Sequence, residues 1–151
     1  MARQPKSSHP LLSYTDDIAT EMTDLLLLVG RVLIAAMFLM TVWFGSPTDG
    51  YLTSINYAFP SFWSPVAQAV EWVIVITIIL GLGARYGALL GLAFVIVATV
   101  TAHRYWGYPQ AAQLVQYTFL TKNLAAAGGL ILLFVTGGGR FSVDSILAKR
   151  R

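Results

Sequence analysis

LLLLVGRVLIAAMFLMTVWF, residues 25–44, is twenty residues long and carries a single ionisable side chain, Arg31. A hydrocarbon core about 30 Å thick is crossed by roughly 20 helical residues, so this stretch is long enough to span a bilayer. Three further runs meet the same criterion: Val66–Leu82, Gly87–His103 and Tyr117–Thr136. Val66–Leu82 and Gly87–His103 are short and should stand nearly upright or thin the bilayer locally. None alternates polar and apolar residues, and four isolated strands could not close a barrel. The expected fold is therefore an all-α membrane protein, a bundle of four transmembrane helices. Composition agrees, since 56% of the 151 residues are hydrophobic and 11% charged, against about a quarter charged in ordinary soluble domains.

The chain divides into a polar segment over residues 1–24, a membrane domain over 25–136 and a basic tail over 137–151. The first segment holds Pro5, Pro10, Asp16, Asp17, Glu21 and Asp24 and lacks the basic start and apolar core of a signal peptide. A prokaryotic cell (inner) membrane is the expected location. Gly45–Pro65 is rich in Gly, Pro, Ser and aromatics and has no Lys or Arg, which suits an interfacial loop. Gly83–Tyr86 is a tight turn that makes the second and third spans antiparallel neighbours. Trp106-Gly107-Tyr108-Pro109 is a turn signal before the fourth span.

Basic residues set the orientation, because cytoplasmic loops are enriched in them. With both termini cytoplasmic, the inner side holds Arg3, Lys6, Arg31, Arg85, Arg140, Lys149, Arg150 and Arg151, and the outer side only Arg104 and Lys122. The net charge of +3 is thus membrane-topology chemistry and does not point to nucleic acid. Gly83, Gly87 and Gly91 recur every four residues, a spacing that lets helices approach closely; packing inside one bundle is the expected use, a dimer face the other.

An ionisable group at membrane depth costs at least about 2.5–3.5 kcal/mol unless paired or hydrated. Glu71 and Lys122 each lie five residues into a span that enters from the outer side, roughly 7–8 Å deep at 1.5 Å per residue. Equal depth and opposite sign suggest an ion pair. His103 and Arg104 close the third span on the same side, Asn123, Gln68, Gln113 and Gln116 add hydrogen-bonding groups, and Trp72, Tyr105 and Trp106 add aromatic walls. Such a cluster suits a polar head group, for example a quinone ring. Glu71 and His103 are the candidates for proton transfer, and Lys122, Asn123, Arg104, Trp72 and Trp106 for ligand binding. The same residues also fit a structural pair and snorkelling anchors. Near the cytoplasmic face, Arg31, Arg85, Arg140 and Asp144 are expected to form structural ion pairs.

Other chemistries lack support. The chain has no Cys, which removes thiolate metal sites and cysteine nucleophiles, and no metal site is expected. His9 and His103, the only histidines, should lie on opposite sides of the membrane, which excludes a bis-histidine haem. There is no iron–sulfur, flavin or nucleotide motif.

Several pieces together resemble the DoxX family of small four-helix membrane proteins. They are Leu25–Arg31, Glu71 with the run to Leu80-Gly81-Leu82, Ala84-Arg85, Ala98-Thr99 with His103 and Trp106, Lys122-Asn123-Leu124-Ala125 with Gly128-Gly129, and Gly139-Arg140-Phe141-Ser142 with Asp144. Phe44-Gly45-Ser46-Pro47 departs from the family's Gly-x-x-Lys and lacks the lysine. The resemblance implies quinone-coupled redox chemistry, as in thiosulfate:quinone oxidoreductase subunits, and position-matched roles for Glu71, Arg85, His103, Lys122, Asn123 and Arg140. Three functions follow as expectations: a small subunit of a quinone-linked redox assembly, a non-catalytic accessory subunit packed against a larger membrane complex, and, third, a proton or small-solute carrier. Expected partners are the lipid bilayer and other membrane subunits or a peripheral redox protein.

Overall fold

The computed structural model describes residues 10–44 and 49–149, with side chains from residue 15 onward. Seven α-helices follow in order among these residues: α1 (Pro10–Glu21), α2 (Thr23–Phe44), α3 (Asp49–Ser54), α4 (Pro60–Leu80), α5 (Ala84–Thr101), α6 (Gln110–Thr136) and α7 (Val143–Ala148). A 3₁₀ turn over Tyr105–Gly107 lies between α5 and α6. The described residues contain no strand, and α2, α4, α5 with its continuation to Gly107, and α6 are long and apolar enough to cross a membrane. The fold is an all-helical bundle of four spans. His9, the basic residues Arg3, Lys6, Arg150 and Arg151, and the Gly45-Ser46-Pro47 departure lie outside the described residues.

Two spans begin earlier than the apolar runs suggest. α4 starts at Pro60 and α6 at Gln110, because polar residues at the head of a span keep the helix going where water and headgroups solvate them. Pro60 sits in the first turn, where its missing N–H has no intrahelical partner to lose. Residues 10–21 of the polar leading segment are helical, and the hydrogen bonds Met22 N to Ile18 O and Leu26 N to Met22 O carry the chain almost continuously into α2.

α2 packs most extensively on α4, and α5 on α6. The core joins all four spans: Ala35 and Phe38 from α2, Ile74, Val75 and Ile78 from α4, Ala88 and Val95 from α5, Leu130 and Leu133 from α6. The glycine stripe is used inside the bundle. A Cβ on Gly87 would meet Thr77 Oγ1 of α4 at 2.4 Å, and one on Gly91 would meet Leu130 of α6 at 3.0 Å. Outward-facing Leu33, Met40, Leu124 and Leu132 are mostly exposed, which in a membrane means contact with acyl chains.

The inner end is tied by side chains bonding backbone. Asp144 accepts from Gly83 N (2.8 Å) and Ala84 N (3.1 Å), capping the start of α5. Asp24 accepts from Arg140 N at 2.9 Å, which places the start of α2 beside the segment after α6. Arg85 donates to Val135 O at 3.3 Å. Arg31 is 1% exposed and donates through Nη2 to Phe141 O; among the described residues its Nε and Nη1 have no hydrogen-bond partner. The hydrogen-bond partners in these contacts are backbone groups, and Asp144 also acts on Arg31 as a nearby opposite charge. The reason is local: four helix ends and the Gly137–Gly139 turn crowd carbonyls and N–H groups here that lack intrahelical partners. Asp144→Ala should cost about 1–2 kcal/mol, read as a lowered thermal midpoint in detergent, with Asp144→Asn intermediate.

Candidate functional site

The outer half of the bundle encloses a cavity of about 230 Å³. Met37, Phe38 and Thr41 of α2, Tyr51 of α3, Glu71 of α4, Phe94, Val95, Ala98 and Ala102 of α5 with His103 just beyond it, and Phe119, Lys122 and Asn123 of α6 line it. The sequence candidates Glu71, His103, Lys122 and Asn123 therefore meet at one place. Glu71 lies eleven residues from the start of α4 and Lys122 twelve from the start of α6, about 16–18 Å along their helices. Both stand in the middle third of their helices, at nearly equal distances from the helix starts.

The turn after α5 is built to aim His103. Ala102 N and His103 N both bond Ala98 O (2.9 and 3.0 Å), closing the helix. Tyr108 Oη donates back to Ala102 O at 2.9 Å, and Gln113 Nε2 donates to Tyr108 O at 3.0 Å, folding the turn onto α6. The imidazole Nδ1 then lies 3.1 Å from Gln116 Oε1 and 3.4 Å from Tyr51 Oη. Its ring stacks on Phe119 with centroids 4.7 Å apart and an interplanar angle of 29°. Gln116 accepts through Oε1, so it favours the tautomer with a proton on Nδ1 and leaves Nε2 as an acceptor.

On α6 the residues 116, 119 and 123 follow i, i+3, i+7 and share one face. Gln116 and Asn123 are buried on it. Asn123 Nδ2 donates to Thr99 Oγ1 of α5 at 3.0 Å. Lys122 Nζ lies 5.0 Å from the centroid of the Phe119 ring, within cation–π range. Glu71 is fully buried. A carboxyl group and an ammonium thus line one cavity, the carboxyl fully buried and Lys122 exposed at its edge.

Tyr51 lies outside the spans, on the short helix α3 that covers the outer mouth. Burial pushes its phenol up to about 12 from an ordinary 10.0, and the neighbouring Tyr108 adds to the rise. A proton held more tightly in the folded than in the unfolded chain contributes stability that is complete below pH 10 and lost as pH rises toward 12. Tyr51→Phe should therefore leave the ultraviolet tyrosinate titration unchanged up to about pH 11 and remove one phenol's absorbance only above it.

Three ligand-binding candidates point elsewhere. Trp72 follows Glu71 directly, about 100° further round α4, and is 38% exposed. Trp106 is 62% exposed on the 3₁₀ turn and meets Tyr105 edge-on. Arg104 is exposed beside Gly107. None lines the cavity. Conversely, Tyr51 and Phe119 are cavity residues that the sequence candidates omit. The spacing of Phe119 between Gln116 and Asn123 is a readable signal; Tyr51 comes from a loop and carries none.

A family model described as the SURF4 family matches residues 4–150. The chain belongs to the SURF4 family. This corrects the DoxX resemblance, and with it the position-matched roles that rested on that family: the pieces quoted for it are short helix-packing and helix-end patterns of low specificity. Two curated relatives of Escherichia coli (strain K12) are similar over most of their length. Inner membrane protein YphA is 30% identical over 126 residues, 79% of this chain and 88% of that protein. Inner membrane protein YqjF is 29% identical over 134 residues, 86% and 98% respectively. Uncharacterized protein T02E1.7 of Caenorhabditis elegans is 27% identical over 150 residues, covering 99% of this chain and 50% of that one. No solved structure matches. With four spans of its own and inner membrane relatives, this SURF4-family chain is a multi-pass inner membrane protein.

Proposed function

We propose that the protein binds the ring head of a membrane-soluble quinone in the cavity between α2, α4, α5 and α6, as a small subunit of a quinone-linked redox assembly. The observation that carries this reading is the convergence of Tyr51, Glu71, His103, Lys122 and Asn123 on one aromatic-walled space inside the spans. A quinone ring presents flat faces and two carbonyl oxygens. Phe38, Phe94 and Phe119 supply faces, and Lys122, Asn123 and Tyr51 supply N–H and O–H donors for the carbonyls. At about 230 Å³ the cavity lies below the range of roughly 300–1,000 Å³ typical of drug-sized sites, which favours a single ring.

Conversion of quinone to quinol takes up two electrons and two protons. Glu71 and His103 are the groups placed to pass protons, and a separate redox protein supplies the electrons. Directly inward of the cavity, Ile74, Ile78 and Leu130 are fully buried and close the centre of the bundle. That closure favours binding over carriage across the membrane. Calorimetric titration of the detergent-purified protein with a short-tailed benzoquinone should give saturable, one-to-one binding. No saturable binding by a folded sample would overturn the reading and leave the packing role of an accessory subunit.

A further inference from the structure

A second cavity of about 310 Å³ lies in the seam between α4 and α5. Its lining is almost wholly apolar, with Ala67 and Val70 on α4, Ala93 and Val97 on α5, and Leu52 of α3 at its roof. We propose that this seam holds the hydrocarbon tail of the molecule whose ring occupies the polar cavity. The ligand is then an amphiphile with a flexible chain, and it enters sideways from the bilayer. This inference rests on the ring-binding reading above.

Continuity is the first reason. Phe94, Ala98 and Ala102 line both cavities, so one wall of α5 serves the ring on one side and the tail on the other. The roof is shared as well: consecutive residues of α3 face the two spaces, Tyr51 the polar one and Leu52, 5% exposed, the apolar one. A single short helix therefore covers a polar head site and an apolar tail site at their junction.

Packing is the second reason. α5 lies against α6 far more extensively than against α4, and on the looser side alanines leave the room that larger side chains would fill. Val97 and Ala93 are exposed on the outer surface of the seam, so a chain reaches it from the lipid without leaving an apolar medium. The alternative groove, between α5 and α6, is about 150 Å³, half the size. Trp63 and Tyr57 stand at the outer end of the α4–α5 seam, the level that amphipathic rings prefer.

The test uses a benzoquinone whose n-alkyl tail ends in a photoreactive diazirine, with the full-length protein in lipid nanodiscs. Illumination should attach the tail to α4 around Ala67–Val70 and α5 around Leu90–Val97, with excess unlabelled quinone removing the adduct. Ala93→Phe and, from the opposite wall, Ala67→Phe should each cut seam labelling at least fivefold. Both should leave calorimetric binding of tail-less benzoquinone within twofold of the unmodified protein. Two substitutions on different helices guard against one failing to fold, and helical circular dichroism checks each. Displaceable tail labelling on Leu120 and Leu124 of α6 instead, with ring binding intact, overturns the seam assignment alone. Absence of both ring binding and tail labelling overturns the functional reading beneath it.

Discussion

Lys122→Ala should weaken binding of a short-tailed benzoquinone by about tenfold to a hundredfold. A hydrogen bond from a charged donor contributes roughly 1.5–3 kcal/mol, and each 1.4 kcal/mol is about a factor of ten in affinity. Lys122 stands in the middle third of α6 and lines the cavity. Lys122 is itself exposed at the edge of the cavity, so the loss should fall in the lower part of that range. Glu71→Gln, which keeps the side chain's size and removes its ionisation, should weaken binding by a comparable factor if the carboxylate holds the ammonium in position. Trp72→Leu and Arg104→Ala are the contrast. Both residues neighbour the site in sequence and face away from it, so calorimetry should find their affinities unchanged. Equal losses in all four variants would indicate general damage to the bundle and not removal of contacts in the cavity.

Gly81→Ala should be the most damaging small substitution at the inner end, and Gly83→Ala, two residues on, a mild one. Both glycines have positive φ, +64° and +60°, which costs a side-chain-bearing residue about 1–2 kcal/mol. Their surroundings differ. A Cβ on Gly81 would fall 1.9 Å from Arg31 Nη1 and 2.5 Å from Ser142 Cβ, whereas one on Gly83 meets only Tyr86, at 3.7 Å. Arg31 is buried and donates to Phe141 O, which limits its movement, and Ser142 Cβ is a short, stiff neighbour. Overpacking adds about 1–3 kcal/mol, and Gly81 O also accepts from Asp144 N at 3.1 Å, so a shift there disturbs the cap on α5. Gly81→Ala should therefore lose about 3 kcal/mol or more in total, with thermal midpoints in detergent falling well below those of Gly83→Ala. Equal midpoints would mean that Arg31 does not pack against Gly81.

The four spans were legible because a bilayer demands length and apolarity, and both are local properties of a sequence. Their starts were less so. Pro60–Pro65 and Gln110–Gln116 contain prolines and polar residues that suit a loop in water and a helix head at an interface. The meeting of Glu71, His103, Lys122 and Asn123 was legible from the cost of burying polar groups in lipid. Which neighbours join them depends on helix rotation, and that separates Trp72 from Glu71 and brings Phe119 in beside Lys122. Tyr51 could not be read at all: its position follows from the fold of Asp49–Ser54 over the mouth. At the inner end, charge counting suggested ion pairs. Backbone groups left over at helix ends take the hydrogen bonds there, and Asp144 on Gly83 and Ala84 is the plainest case.

Photolabelling of native membranes with a ring-azido benzoquinone tests the central claim most directly. Peptides bearing Tyr51, His103 and Phe119–Asn123 should carry the label, and excess unlabelled quinone should remove it. Label spread over the lipid-facing residues Leu33, Met40, Leu124 and Leu132, undiminished by competitor, would contradict a quinone site in this bundle.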